Sequence, residues 1–226
     1  MMRFYTLRSA EALEQLVLEV GFLPFFTGEI PGYSVEECTP RELWFAPDAD
    51  GPWEWKGPVA LGGKVAYGKF FRGKAGFISM EHFPRFANWR RDGYDFDARW
   101  DDGLAPRKDK QLMDYMLENG PMLTPQIKRA LNYNKNGQKG FETVVTRLQL
   151  QTYLTVRNFE YMQDKTGKPY GWGVARYAMP EHIFGEDFLA EAYREEPADS
   201  AKAVAAYLQK LLPDAAESQI AKLLKP

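Results

Sequence analysis

Between Arg107 and Ala178 the apolar residues change period in an order that few folds accommodate. "RKDKQLMDYMLENG" sets Leu112, Met113, Met116 and Leu117 on one helical stripe and stops at Gly120. A short apolar pair, Met122 and Leu123, leads into "TPQIKRAL", where Thr124 suits an N-cap, Pro125 the first helical position, and Ile127, Ala130 and Leu131 the inner face. After the polar turn "NYNKNGQKG", Phe141, Val144, Val145 and Leu148 share one face of a third helix over 141–152. Two strand-like runs follow, "YLTVRNFEYM" and "YGWGVARYAM", joined by "QDKTGKP", in which Gly167 can supply the positive φ of a hairpin turn. Helix, strand stub, helix, helix and two-stranded ribbon is the element order of a winged helix-turn-helix, and it is assigned to 104–180.

The flanking segments obey different rules. Residues 9–20 carry a Ser cap and apolar positions Leu13, Leu16, Val17 and Val20, with Gly21 ending that helix. The Pro- and Gly-rich stretch after it reads as an ordered loop with a helical turn near Val35. From Leu43 to Met80 the pattern turns to period two. "GPWEWKG", "KVAYGKFF" and "AGFISM" read as short antiparallel strands, the last two closing a hairpin across Arg72–Lys74. "EHFPRFANWRR" reads as a helix interrupted by Pro84, and "DGYDFDARWDDGLAP" as an acidic, turn-rich connection. The expected fold is α+β, with an aromatic-rich N-terminal module (1–103) holding a small antiparallel sheet, the winged helix (104–180), and C-terminal helices (181–226) divided at Pro197 and Pro213.

Composition narrows the chemistry. No stretch approaches the roughly 18 apolar residues of a membrane span, and the opening residues lack a basic region followed by an apolar run, so a soluble cytoplasmic protein with no membrane partner is expected. The single cysteine, Cys38, has no disulfide partner, and His82 and His182 stand apart from any ligand set, so no metal is expected. No glycine pattern matches a P-loop or GxGxxG, which leaves nucleotide cofactors without support. Net charge is only −2, yet between Met122 and Tyr177 nine Lys and Arg stand against three Asp and Glu, a local +6. Such a basic segment inside an acidic chain suits nucleic-acid phosphate.

In a winged helix the third helix meets the major groove and the ribbon turn reaches the neighbouring backbone. Double-stranded DNA is therefore the expected partner, with Lys128, Arg129, Lys135, Gln138, Lys139, Arg147, Lys165 and Lys168 as contacts. Winged helices also dock on proteins, so a protein partner stays open. In "PWEWKG", a strand would put Trp53 and Trp55 on one face as base-stacking candidates and Glu54 on the other as a base, with Lys56 beside it. A core tryptophan pair backed by a surface ion pair is the simpler account. Gln149 and Gln151, in "LQLQT", lie about 200° apart on a regular helix and converge only if it unwinds near Leu150. The residues alone favour a structural role in which a glutamine satisfies strand-end backbone groups.

"FETVVTRLQLQTYLTV" with "YGWGVARYAMPEHIFG", and "GPWEWKGP" with "YGKFFRGKAGFIS" upstream, resemble the bacterial AlkZ-related proteins, short relatives of the AlkZ-type winged-helix DNA glycosylases. The resemblance runs from about Gly21 to Gly185. For the glycosylases it implies excision of alkylated or crosslinked bases without metal or cofactor, and a Gln-x-Gln motif that positions the hydrolytic water. Gln149 and Gln151 match that motif by residue type, although in the longer glycosylases it lies early in the chain. A DNA-binding relative is the first reading, a metal-independent DNA glycosylase the second, and a protein-interaction module the third.

Overall fold

Ser9 begins the first helix, α1 (Ala10–Val20), by accepting from the Ala12 N–H, and Gly21 ends it at φ +73. The computed structural model describes residues 5–45 and 50–225. β1 (Phe22–Pro24), α2 (Val35–Cys38), α3 (Glu42–Phe45) and α4 (Pro52–Leu61) follow. β2 (Val65–Phe71) and β3 (Lys74–Ser79) form the expected hairpin, with Arg72 and Gly73 both at positive φ, as a two-residue turn of matching twist requires. Next come α5 (Phe83–Arg91), α6 (Phe96–Asp101) and α7 (Arg107–Asn119). β4 (Met122–Leu123), α8 (Thr124–Ala130), α9 (Phe141–Leu150), β5 (Thr155–Gln163) and β6 (Pro169–Ala178) complete the central part. The chain closes with α10 (Pro180–Phe184), α11 (Glu186–Ala190), a 3-10 turn (Glu191–Arg194), α12 (Pro197–Leu211) and α13 (Glu217–Leu223).

The architecture is mixed helix and antiparallel sheet. One six-stranded sheet runs β1-β3-β2-β5-β6-β4, and the pair Tyr67↔Val156 joins the N-terminal hairpin to the ribbon. A single cluster of buried apolar side chains extends from Leu7 to Leu224. The terminal helices are tied into it by polar contacts as well as apolar ones. Asn88 donates to the Glu195 carbonyl (2.8 Å) and the Ser200 hydroxyl (3.0 Å), and Arg90 donates to the Leu224 carbonyl (2.7 Å). No helix among the described residues is long and apolar enough to cross a membrane.

Four local expectations are corrected. "PWEWKG" is helical, not a strand: Pro52 occupies the first turn, where its missing N–H costs nothing, and Trp55 and Val59, one turn apart, are both buried. Four alternating residues are too few to separate the two periods, and burial of the i, i+4 pair decides it. "DGYDFDARWDD" carries α6, because Asp95 caps it through the Ala98 N–H (2.8 Å) and Phe96 is buried against the Tyr153 ring. Thr124 is the first helical residue after Leu123 and does not cap α8; its hydroxyl donates to the Ala175 carbonyl on β6 (3.0 Å). The strand Phe22–Pro24 lay within the stretch expected to be a loop, and its pairing with β3 is what makes it extended.

Candidate nucleic-acid interface

α7, β4, α8, α9, β5 and β6 follow in the anticipated order, and β4 pairs with β6 through Met122↔Tyr177 and Leu123↔Arg176. α9 buries Phe141, Val144, Val145 and Leu148, the apolar face read from its period. The ribbon turn is stabilised locally. Gly167 sits at φ +82, and the Asp164 carboxylate accepts from the Thr166 N–H (2.8 Å), the Thr166 hydroxyl (2.6 Å) and the Lys168 N–H (3.1 Å). Those bonds hold the Asp164 carboxyl below its ordinary pKa.

The nine cations of the basic segment divide sharply by partner. Arg147 pairs bidentately with the buried Asp109 carboxylate of α7, Nε to Oδ2 at 2.7 Å, and so braces α9 against α7. Arg176 grips Glu160 across the ribbon, and Lys128 reaches Glu142 at 3.2 Å with its ammonium over the Phe141 ring. Arg157 donates to the Ala60 (3.1 Å) and Leu61 (2.7 Å) carbonyls at the end of α4. Arg129, Lys135, Lys139, Lys165 and Lys168 are exposed and form no ion pair among the described residues. They lie at three places: the end of α8, the loop before α9, and the ribbon turn. Gln138, expected at this surface, is half-buried and donates to the Leu131 carbonyl (3.0 Å).

Above the ribbon turn stand aromatic side chains. Trp172 is 85% exposed, and Tyr161 and Tyr170 are about half exposed. A tryptophan that open gains nothing from the core, and the sequence reading passed over it because "YGWGVARYAM" looked like an ordinary half-buried strand.

The two glutamines do not converge. Gln149 is buried: its amide oxygen accepts from the Lys69 N–H on β2 (3.1 Å) and its nitrogen donates to the Val145 carbonyl (2.9 Å). Gln151 caps the C-terminus of α9 and is half-buried, with no side-chain partner among the described residues. Thr152, at φ +62, turns the chain into β5. Replacing Gln149 with leucine should cost about 1–3 kcal/mol, because the Lys69 N–H is left unsatisfied, whereas Gln151→Leu should stay within about 0.5 kcal/mol. Urea unfolding of the two variants checks this.

A family model described as AlkZ related matches residues 7–225. The chain belongs to the AlkZ-related family. Among solved structures, this AlkZ-related chain is similar to the Streptomyces sahachiroi DNA glycosylase AlkZ, with 12% identity, a TM-score of 0.47 and 96% of its own length covered. The match covers 59% of that protein, so the AlkZ-related chain spans about three-fifths of its length. No curated protein matches.

The remaining sequence candidates of the AlkZ-related chain separate on α4. Trp55 is buried, Trp53 is partly exposed and packs edge-on against Trp44, and Glu54 points outward. Residues i and i+2 of a helix cannot share a face, so the pair of tryptophans is not a stacking platform. The same rotation carries Lys56 inward, where its ammonium lies between the Trp53 ring (4.3 Å) and the Phe159 ring (4.5 Å). A cavity of about 550 Å³ lies elsewhere, between α6, α7 and α10–α11, and neither glutamine lines it. Asp95, Asp97, Asp114, Glu181 and Glu186 line it, with Glu181 paired to Arg91 and both Asp97 and Asp114 to Lys110.

Proposed function

We propose that this chain binds double-stranded DNA through a winged helix-turn-helix, comprising residues 104–180, with aromatic-rich and C-terminal segments packed around it. The observation that carries the reading is the set of five exposed cations, Arg129, Lys135, Lys139, Lys165 and Lys168, without carboxylate partners among the described residues, in a chain whose overall charge is negative. A solvated surface distributes both signs, and here the acids near the wing are each engaged internally. Glu142 and Glu160 hold Lys128 and Arg176, and Asp164 holds its own turn. The AlkZ-related family membership accords with a nucleic-acid partner. Exposed Trp172 adjoins the same turn and offers a flat face for a base or sugar.

Fluorescence anisotropy with a labelled duplex tests this. Affinity should fall steeply as salt rises from about 50 to about 200 mM, since each phosphate contact releases counterions. Lys165→Glu with Lys168→Glu should weaken binding alike on all sequences and lower the slope of log K against log salt by about 2. A duplex ignored at the lower salt would refute the reading.

A further inference from the structure

The ribbon is not a regular ladder at Trp172. Its register runs Glu160↔Val174 and then Met162↔Tyr170, so Gly171, Trp172 and Gly173 together stand opposite the single residue Tyr161. Extra residues on one strand leave the ladder and re-aim the side chain they carry. Both neighbours of Trp172 suit such a bulge. Gly171 sits at φ +73, which a residue with a side chain rarely adopts, and a Cβ on Gly173 would stand 3.3 Å from the Phe159 Cβ. The backbone is thus pressed against β5 at Gly173 while the indole beside it is turned out into solvent, 85% exposed. Among the described residues the Trp172 side chain has no ring contact, cation or hydrogen-bond partner. Trp53, by contrast, lies against Phe25, Phe26 and Trp44. The bulge gives up regular pairing and gains no core contact in return, so the ring is free for a partner.

The surroundings identify that partner. Lys165 and Lys168 occupy the turn, and Lys168 lies four residues from Trp172, at most about 13 Å along the strand. That is about four base steps, so one duplex can meet the lysines with its phosphates and the indole with its stack. An indole has the size and the two aromatic faces of a base. In an intact duplex both faces of every internal base are covered, and a wedge must first part a step to enter. Where a base is missing, the space is already open.

We infer that Trp172 is a stacking wedge that fills a base-sized gap in duplex DNA, and that the chain selects duplex with an interrupted stack, an abasic position being the simplest case, over intact duplex. This rests on the DNA-binding reading above and gives that site its substrate class. The ring takes the place of the missing base between its two neighbours, and Lys165 and Lys168 hold phosphates of flanking nucleotides. No bond is made or broken. On intact duplex the same stacking is offset in part by the separation of a step, whereas at a gap it is retained in full.

Anisotropy titrations with two labelled duplexes of one sequence test the assignment, one intact and one carrying a single tetrahydrofuran abasic analogue. The wild type should bind the abasic duplex about tenfold or more tighter. That ratio should hold between about 50 and about 200 mM salt, because the two duplexes present the same phosphates. Trp172→Ala should bind both alike, and Trp172→Phe, which keeps a flat ring, should restore part of the preference. The thermal transition of each variant shows that it is folded. An abasic duplex also bends more easily, so a preference that survives in Trp172→Ala would assign the selection to DNA flexibility and overturn the wedge. Equal affinity of the wild type for the two duplexes would overturn it as well. A wild type that binds neither duplex would bring down the DNA reading itself, a result distinct from binding both equally.

Discussion

Arg91→Met should destabilise the protein by about 3–5 kcal/mol, the range expected when one member of a buried charged network is removed. Arg91 is the hub where α5, the α9–β5 turn and the C-terminal segment meet. Its guanidinium donates to the Thr152 carbonyl (2.9 Å), to Glu181 (2.7 Å) and to the Tyr193 hydroxyl (2.8 Å), and it lies 4.6 Å from the Tyr153 ring. Burial disfavours its charge, but Glu181 and Tyr193 more than offset that, and the group is held protonated above its ordinary value. Methionine retains the apolar stem and removes every donor, so the Thr152 carbonyl and the Glu181 carboxylate lose their partner together. Thr152 is in the left-handed region, where its own N–H to the Gln149 carbonyl (2.9 Å) and the Tyr153 N–H to the Leu148 carbonyl (2.9 Å) also hold the turn, so the loss of Arg91 removes one of several ties. Urea unfolding measures the loss, and a change below about 1 kcal/mol would show that the hub contributes little.

Trp172→Ala is expected to leave folding within about 0.5 kcal/mol of the wild type and to weaken DNA binding by roughly 5- to 150-fold, the range of about 1–3 kcal/mol for one stacked aromatic. The two halves of this expectation come from one observation. An 85% exposed side chain has almost no core contact to lose, and its exposed ring face is the contact it can offer a partner. Unlike the lysine reversals, the loss should be nearly independent of salt, because no phosphate charge is involved. Paired anisotropy titrations at two salt concentrations separate the contributions. Unchanged affinity at both would remove Trp172 from the interface.

What the chain determined by itself is what local chemistry specifies. The Ser9 cap and Gly21 stop bound α1, positive-φ residues close both hairpins, and the 3.6-residue period of Val144, Val145 and Leu148 sets the inner face of α9. The element order from α7 to β6 followed from such signals. Tertiary structure decided the rest, because the deciding partners are remote in sequence. Trp53 and Trp55 alternate on too short a stretch for the period to discriminate, and only burial of Trp55 beside Val59 makes α4 helical. Arg147 looked like any basic residue of the segment until Asp109, 38 residues earlier, claimed it. Charge in the sequence is a sum over residues, whereas charge available to a ligand is what remains after pairing, and pairing exists only once the chain has folded.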